Sequence, residues 1–354
     1  MTACVRSLPW RPIFGLAVLL ACFRPSAASA ANLEPAGINL GGTSFFDGFG
    51  RNTEGFTYLA YFQYARAREI HGTLMAGGDA SKPLPVFKDP SIDVFVFINQ
   101  LAYTFPGDLF GGAAHAGINF LLPLVGFDVS FAPPTMADPR SATLTDNGLG
   151  LGDLTFGPTL QFKPIIAGGR PVFSQRFEVD VIAPTGAYDP SVDINQSSNF
   201  VSIVPYWAAT VLPLPHWEIS ARLHYLYNFK NVRPAFGRLY TNVQPPPVQS
   251  AQAGQAGWVN FATSYEILSG LSVGANGYYF HQFNLDLWEM LDGTTNPGIM
   301  YNDTGHKRIF AIGPGVMWSA AEHEKFFANV YFQLHVENGE QANVLNLRWV
   351  HGFP

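Results

Sequence analysis

The stretch FFANVYFQLHVE, Phe326–Glu337, decides the fold. Phe326, Ala328, Val330, Phe332, Leu334 and Val336 occupy alternate positions; Phe327, Asn329, Tyr331, Gln333, His335 and Glu337 occupy the others. Successive side chains on a strand point to opposite faces, so the pattern predicts a strand with one apolar and one mostly polar face. Glu218–Asn228 repeats it, with Ile219, Ala221, Leu223, Tyr225 and Tyr227 against Glu218, Ser220, Arg222, His224 and Asn228. In Arg176–Ile182, Phe177, Val179 and Val181 alternate with Arg176, Glu178 and Asp180. In Gly152–Phe162, Leu154, Phe156, Leu160 and Phe162 alternate with Asp153, Thr155, Thr159 and Gln161. Ile92–Phe105 and Val201–Thr210 are apolar on both faces, which suits either a partly apolar lumen or packing on a plug.

Outward from these segments, the chain reads as about twelve strands, near 55–66, 91–104, 113–131, 151–162, 173–184, 199–211, 215–229, 256–267, 270–283, 306–319, 325–337 and 343–353. Their connections alternate long (67–91, 132–150, 184–198, 230–255, 284–305) and short (105–112, 163–172, 212–215, 268–270, 320–324). A soluble β-sandwich has no reason to sort its loops by parity. An all-β, up-and-down antiparallel transmembrane barrel does, because tight turns face the periplasm and longer loops face outside. An even count also returns the chain to the periplasmic side. Pro123 interrupts the third segment, and Pro158, Pro205 and Pro314 fall inside others. Each removes a ladder donor and predicts a bulge or disturbed register.

Composition agrees. Charged residues make up 13% of the chain, about half of the ~25% usual in soluble domains. The least charged stretch, Leu109–Phe127, is broken by Gly111, Gly112, Gly117, Asn119, Pro123 and Gly126, so it does not read as a membrane helix. Residues 1–30 read as a signal peptide: Arg6 and Arg11, an apolar run Ile13–Phe23, then Ala28-Ser29-Ala30 as a cleavage site. Leu19-Leu20-Ala21-Cys22 offers a lipoprotein signal as the rival reading. Both cysteines, Cys4 and Cys22, lie in this leader, so the mature chain has no disulfide framework or thiolate chemistry. Of 20 basic residues three (Arg6, Arg11, Arg24) leave with the leader; 17 then face 26 acidic ones, a net of −9 that argues against nucleic acid. The expected location is the outer membrane of a Gram-negative bacterium, with lipid as one partner. Residues 31–54, rich in Gly and Asn, are long for a lead-in and suit a small plug inside the barrel; 55–354 form the barrel itself.

The last strand alternates Leu345, Leu347, Trp349, His351 and Phe353. This resembles the C-terminal signal read by the barrel-insertion machinery, with Pro354 and His351 as departures from it. Three further motifs resemble an outer-membrane family of transporter-like proteins named for the meta pathway of phenol degradation. They are Gly148-Leu-Gly-Leu-Gly-Asp153-Leu-Thr-Phe-Gly-Pro158, Ala183-Pro184-Thr185-Gly186-Ala187-Tyr188 and Gly313-Pro314-Gly315-Val316. Glu34-Pro35-Ala36-Gly37 and Glu54-Gly55 fit more loosely. The resemblance implies a barrel that takes up small hydrophobic or aromatic compounds, akin to fatty-acid and toluene channels, and carries over no binding residues.

A diffusive channel needs a lining that replaces the solute's hydration, with no catalytic group or cofactor. Candidate lumen residues are Asp153, Arg176, Glu178, Asp180, Glu218, Arg222, His224, Gln333, His335, Glu337 and Arg348. The same charges can also pair across a small barrel and fill it, with structural value only. Asp153 suits a strand-start role better than a ligand role. Phe95, Phe97, Tyr103 and Phe105 alternate along one strand and are a candidate aromatic path, whereas Trp217, Trp318 and Trp349 suit an interfacial belt. No H-x-S or HExxH arrangement points to an enzyme, and no histidine pair has metal-ligand spacing. Asp286, Glu289, Asp292 and Asp303 in the last long loop suit a solvated surface better than a cation site. The rival to a channel is a closed barrel with a structural or surface-recognition role.

Overall fold

The structure, a computed structural model, describes residues 38–73, 78–132, 143–235, 248–293, 295–297 and 306–354. The expected signal peptide with both cysteines, the first residues of the expected plug and Asp303 lie outside the described residues.

Twelve antiparallel strands form one closed barrel. They are β1 (Gly55–His71), β2 (Ser91–Thr104), β3 (Ala114–Ser130), β4 (Leu154–Phe162, preceded by Leu149–Leu151), β5 (Arg170–Ala183) and β6 (Ser202–Leu214). The rest are β7 (Trp217–Asn228), β8 (Ala256–Leu268), β9 (Leu271–Gln282), β10 (Arg308–Ala321), β11 (Glu324–Glu337) and β12 (Gly339–Gly352). Each strand pairs with its sequence neighbours, and β1 closes on β12 from Thr57↔Gly352 to His71↔Gly339. Closure leaves no unpaired edge, the condition for a sheet in hydrocarbon. Five short turns and the C-terminus share the periplasmic end; the other end carries the five long connections and the one-residue β11–β12 turn at Asn338.

The outer face is apolar, with Phe62, Phe97, Phe120, Phe177, Leu223 and Phe332 exposed toward the bilayer. Near the short-turn end Trp318 and Trp349 flank Phe326, with ring centroids 5.8 and 6.5 Å from it, the belt expected where bilayer meets water.

The prolines disturb hydrogen bonding rather than register. Pro158 keeps Ile118 as partner on β3, while on β5 the pairs Phe156↔Val181 and Thr159↔Glu178 continue one register across the gap. Pro205 and Pro314 interrupt the β6–β7 and β10–β11 ladders in the same way. A missing N–H removes one bond without forcing an extra residue into the strand. Opposite Pro123 the pairing does shift, from Leu121↔Thr155 to Leu124↔Leu151, with Gly152 and Asp153 forming the irregularity.

Above the extracellular rim the long connections are packed. Ile70, Leu84, Phe87, Ile92 and Leu144 form one buried cluster. A small sheet of Lys230–Asn231, Val248–Gln252, Leu287–Met290 and Thr295–Pro297 carries a second around Phe200, Ala251 and Trp288. In that sheet Asp286 accepts from Gly254 N at 2.8 Å, and Glu289 accepts from Lys230 Nζ and Ser250 Oγ at 2.7 Å.

Candidate functional site

Residues 38–54 run inside the barrel. Gly41 donates its N–H to Asn260 Oδ1 (3.1 Å), and Asn346 Nδ2 donates to Gly41 O (2.7 Å). Asn329 Nδ2 donates to Ser44 Oγ (3.1 Å). Lower down, Gly48 N donates to Thr210 Oγ1 (2.9 Å), and Gly48 O accepts from Ser174 Oγ (2.9 Å) and Gln161 Nε2 (3.1 Å). A Cβ at Gly48 would stand 2.4 Å from Ser174 O, so the segment lies flat on the wall only because this residue has no side chain. At the periplasmic mouth Arg51 Nη1 donates to the carbonyls of Phe56 (3.1 Å) and Phe353 (2.5 Å). Strands β4–β12 thus supply the polar groups that satisfy an irregular backbone at membrane depth.

This segment carries Asp47, the acceptor around which the lumenal charges gather. Arg222 grips the Asp47 carboxylate with Nε (2.7 Å) and Nη2, and Arg176 Nη2 lies 3.8 Å from it. Arg176 Nε also lies 3.8 Å from Glu178. Glu178 accepts from Tyr206 Oη and from Asn119 Nδ2 (2.7 Å). Gln100 Nε2 donates to Asn119 Oδ1 (2.8 Å) and Tyr61 Oη donates to Gln100 Oε1 (2.7 Å), carrying the network round to β1. Glu218 accepts from Ser220 Oγ (2.5 Å), Ser264 Oγ (2.8 Å) and Phe46 N (3.4 Å). Sharing of this kind is what lets buried charges remain charged.

Because residues 38–54 lie on β4–β12, space remains along β1–β3 and the adjoining part of β12. Among the described residues it includes two cavities of molecular size. The periplasmic one, of about 480 Å³, is lined by Tyr61, Gln100, Asn119, Arg176, Glu178, Arg222, Lys325, Phe327 and Arg348, with Phe45, Phe46 and Asp47 as its floor. The extracellular one, of about 320 Å³, is bounded by Ala65, Ala67, Ile92, Val94, Val96, Val125, Ile309 and Val344, with Ile38 and Leu40 from the inner segment. On β12 the inward side chains Val350 and Arg348 line the first cavity, and Val344 and Ala342 the second. Asn346, between them, is the residue bonded to Gly41. It marks the waist.

Of the candidate lumen residues, Arg176, Glu178, Asp180, Glu218, Arg222, His224, Gln333 and Arg348 face inward and are buried or nearly so. His224 stacks on Trp258 with centroids 4.1 Å apart, and neither of its ring nitrogens has a hydrogen-bond partner among the described residues. Asp153 is buried, but it serves the loops: Oδ1 accepts from Gly186 N (2.9 Å) and Oδ2 from Ser198 N (3.1 Å), while Thr185 Oγ1 accepts from Leu154 N (2.9 Å). The Gly148–Pro158 and Ala183–Tyr188 motifs are therefore two halves of one junction. A Cβ on Gly186 would come within 2.6 Å of the Gly152 carbonyl carbon.

Two expectations are corrected. His335 and Glu337 lie outside the lumen. A bulge between Phe310↔His335 and Ala311↔Gln333 turns Val336 inward and His335 outward, where Glu337 meets Arg308 Nη1 at 3.2 Å and His335 Nε2 at 3.0 Å. One extra residue reverses a period-2 pattern. The row Phe95, Phe97, Tyr103 and Phe105 is likewise no lumenal path: Phe95, Phe97 and Phe105 are exposed on the outer face, and Tyr103 packs between Phe56 and Phe105. The inward side of that strand is Ile92, Val94, Val96, Ile98 and Gln100. Asp47, Gln100, Asn119, Asn260 and Asn346, which carry much of the network, had no periodic signal to single them out; Asp47 lies outside any strand, and uncharged amides look alike on a lumenal or a loop position.

The model of the family described as "Putative MetA-pathway of phenol degradation" matches residues 38–349. No curated protein matches the chain. Among solved structures, the COG4313 outer membrane channel from Pseudomonas putida F1 is similar, with 16% identity, a TM-score of 0.65, and coverage of 88% of this chain and 99% of that one. The transport unit of the autotransporter AIDA-I from Escherichia coli has 10% identity and a TM-score of 0.48, covering 94% and 100% of the two chains. A FadL homologue from Pseudomonas aeruginosa has 10% identity and a TM-score of 0.40, covering 88% and 96%.

Proposed function

The chain belongs to this phenol-degradation family of outer-membrane barrels, and from that premise we propose that it is a channel for small hydrophobic or aromatic compounds, working by passive diffusion. The observation that carries the reading is the pair of cavities, one on either side of the Asn346–Gly41 waist and both against β1, β2 and β12. A cavity of about 150 Å³ accepts benzene, and these measure about 320 and 480 Å³. The extracellular one offers an apolar wall that a ring can enter with little loss, and the periplasmic one offers polar partners for its substituents. No step consumes energy: the solute moves down its gradient through a lining that stands in for water.

The test is entry into liposomes bearing the folded protein, with protein-free liposomes as the baseline, comparing a phenol-like aromatic, a fatty acid and a sugar. Selective aromatic entry supports the reading. Equal entry of all three points to a general pore. No entry through protein shown folded by heat-modifiable gel mobility points to a closed barrel, held shut by residues 38–54.

A further inference from the structure

The periplasmic cavity, which Asp47, Glu178, Asp180 and Glu322 also line, contains two cations that make no contact ion pair among the described residues. Arg348 is 7% exposed and its Nε has no hydrogen-bond partner. Its guanidinium lies 3.7 Å from the centroid of Phe327, and among the described residues it makes no ion pair. Lys325 lines the same cavity, also without a paired carboxylate among the described residues. Phe327 stands opposite Arg348 in the β11–β12 register and Val350 opposite Lys325, so the two cations are diagonal neighbours on one inward face, about 7–8 Å apart at the backbone. Asp47, the carboxylate of the inner segment, is already gripped by Arg222. A ring on Phe327 accounts for part of the arginine's stabilisation, but a stacked guanidinium still has its edge N–H groups to satisfy.

Resting on the channel reading above, we propose that Arg348 and Lys325 form an anion subsite that takes the carboxylate of a monocyclic aromatic acid. The ring of the ligand lies against Phe46, Phe49 and Phe327. A planar fork on Arg348 suits a carboxylate better than a lone ammonium does, and Lys325 adds a mobile second charge. A carboxylate ion pays a large desolvation penalty in hydrocarbon and depends on a lined path.

The experiment measures binding of benzoate, benzamide and acetate to the folded full-length mature protein in detergent by titration calorimetry. In parallel, benzoate and benzyl alcohol entry into liposomes is followed. The expected result is that benzoate binds while benzamide and acetate bind at least about tenfold more weakly, the worth of a charge-assisted pair or of a buried ring. R348Q should weaken benzoate about tenfold or more, R348K should restore part of the loss, and K325Q should give a smaller one. Heat-modifiable mobility shows that each variant is folded. Equal binding of benzoate and benzamide, equal binding of benzoate and acetate, or an R348Q value equal to wild type overturns the proposal. Failure of the channel reading looks different: benzoate binds and R348Q loses it, yet no solute enters liposomes.

Discussion

The two ends of the lumen are built from the same strands and carry different side chains: aliphatic residues with Gln63, Lys307, Gln333 and Glu340 at the extracellular end, several arginines at the periplasmic end. At the extracellular end β1, β2, β3 and β12 present Ala65, Val94, Val96, Val125 and Val344 inward, while the inner segment adds Ile38 and Leu40 to the cluster of Ile182, Val204, Tyr278 and Phe280. Toward the periplasm the same sheet presents Tyr61, Gln100, Arg176, Glu178, Arg222 and Arg348, and the inner segment adds Asp47. Strands that were apolar on both faces, Ile92–Phe105 and Val201–Thr210, thus served both of the uses open to them: the first lines a cavity and the second packs on the inner segment. A small barrel can grade its lumen from greasy to charged simply by changing the inward residue at each level. The fold does not change.

The largest test of that contrast is at the charged end. D47A leaves Arg222 and Arg176 without their shared carboxylate at a buried site, and removing one partner of a buried pair costs about 3–5 kcal/mol. Urea unfolding should show it as a lower midpoint, together with protease cleavage within residues 38–54. The double variant D47L/R222M should recover part of the stability, because the stranded Arg222 charge is removed and Arg176 keeps Glu178. If D47A behaves like wild type, the pair is not what pins the segment to the wall.

At the extracellular end, V96N places an amide in the wall between Gln63 and Val125, its cross-strand neighbours. Entry of a neutral aromatic should fall about tenfold, while barrel stability changes less than in D47A. An unchanged rate means that the solute does not pass along β2. F97A, one residue away but on the lipid face, should leave entry within about twofold and slightly lower stability in bilayers. Opposite outcomes at Val96 and Phe97 would show the inward and outward rows reversed.

The smallest effect is expected outside the membrane, at the periplasmic turns. Lys163 Nζ lies 2.9 Å from Asp108 Oδ1, and His115 Nε2 lies 3.1 Å from it. The Lys163 hydrogen bond holds the Asp108 carboxyl below its ordinary value. A depressed carboxyl contributes stability above its unfolded pKa and loses it as pH falls through the folded one. Amide protection in 105–113, corrected for the intrinsic exchange rate at each pH, should therefore be higher above the ordinary carboxylate range, about pH 4, and fall on acidification. D108N should abolish that dependence, and salt should weaken it.

Much of this molecule was legible as a list of strands. The alternation in Phe326–Gln333 and Glu218–Asn228 holds residue by residue, and the first ten connections follow the long-short order, while the eleventh, on the long side, is the single residue Asn338. It failed where a local event reset the period. Nothing in Gln333-Leu334-His335 announces a bulge, so the polar pair His335 and Glu337 was assigned to the lumen on parity alone. It failed differently on β2, where both rows are apolar: a period of two separates the faces without saying which one is inside.

The sequence by itself determined that the chain is a membrane barrel of about twelve strands, because side-chain alternation and loop parity are local properties written along each segment. Only the tertiary structure decided what the barrel encloses. Asp47 is a single acid in a glycine-rich lead-in until closure of β1 on β12 brings Arg222, 175 residues away, onto it. Arg348 is one lumenal charge among many until the pairing of β11 with β12 sets Phe327 beneath it and leaves no carboxylate of the described residues at its side. Strand order fixes the wall; which charges meet, and which are left open to a ligand, depends on distances across a lumen that no local pattern encodes.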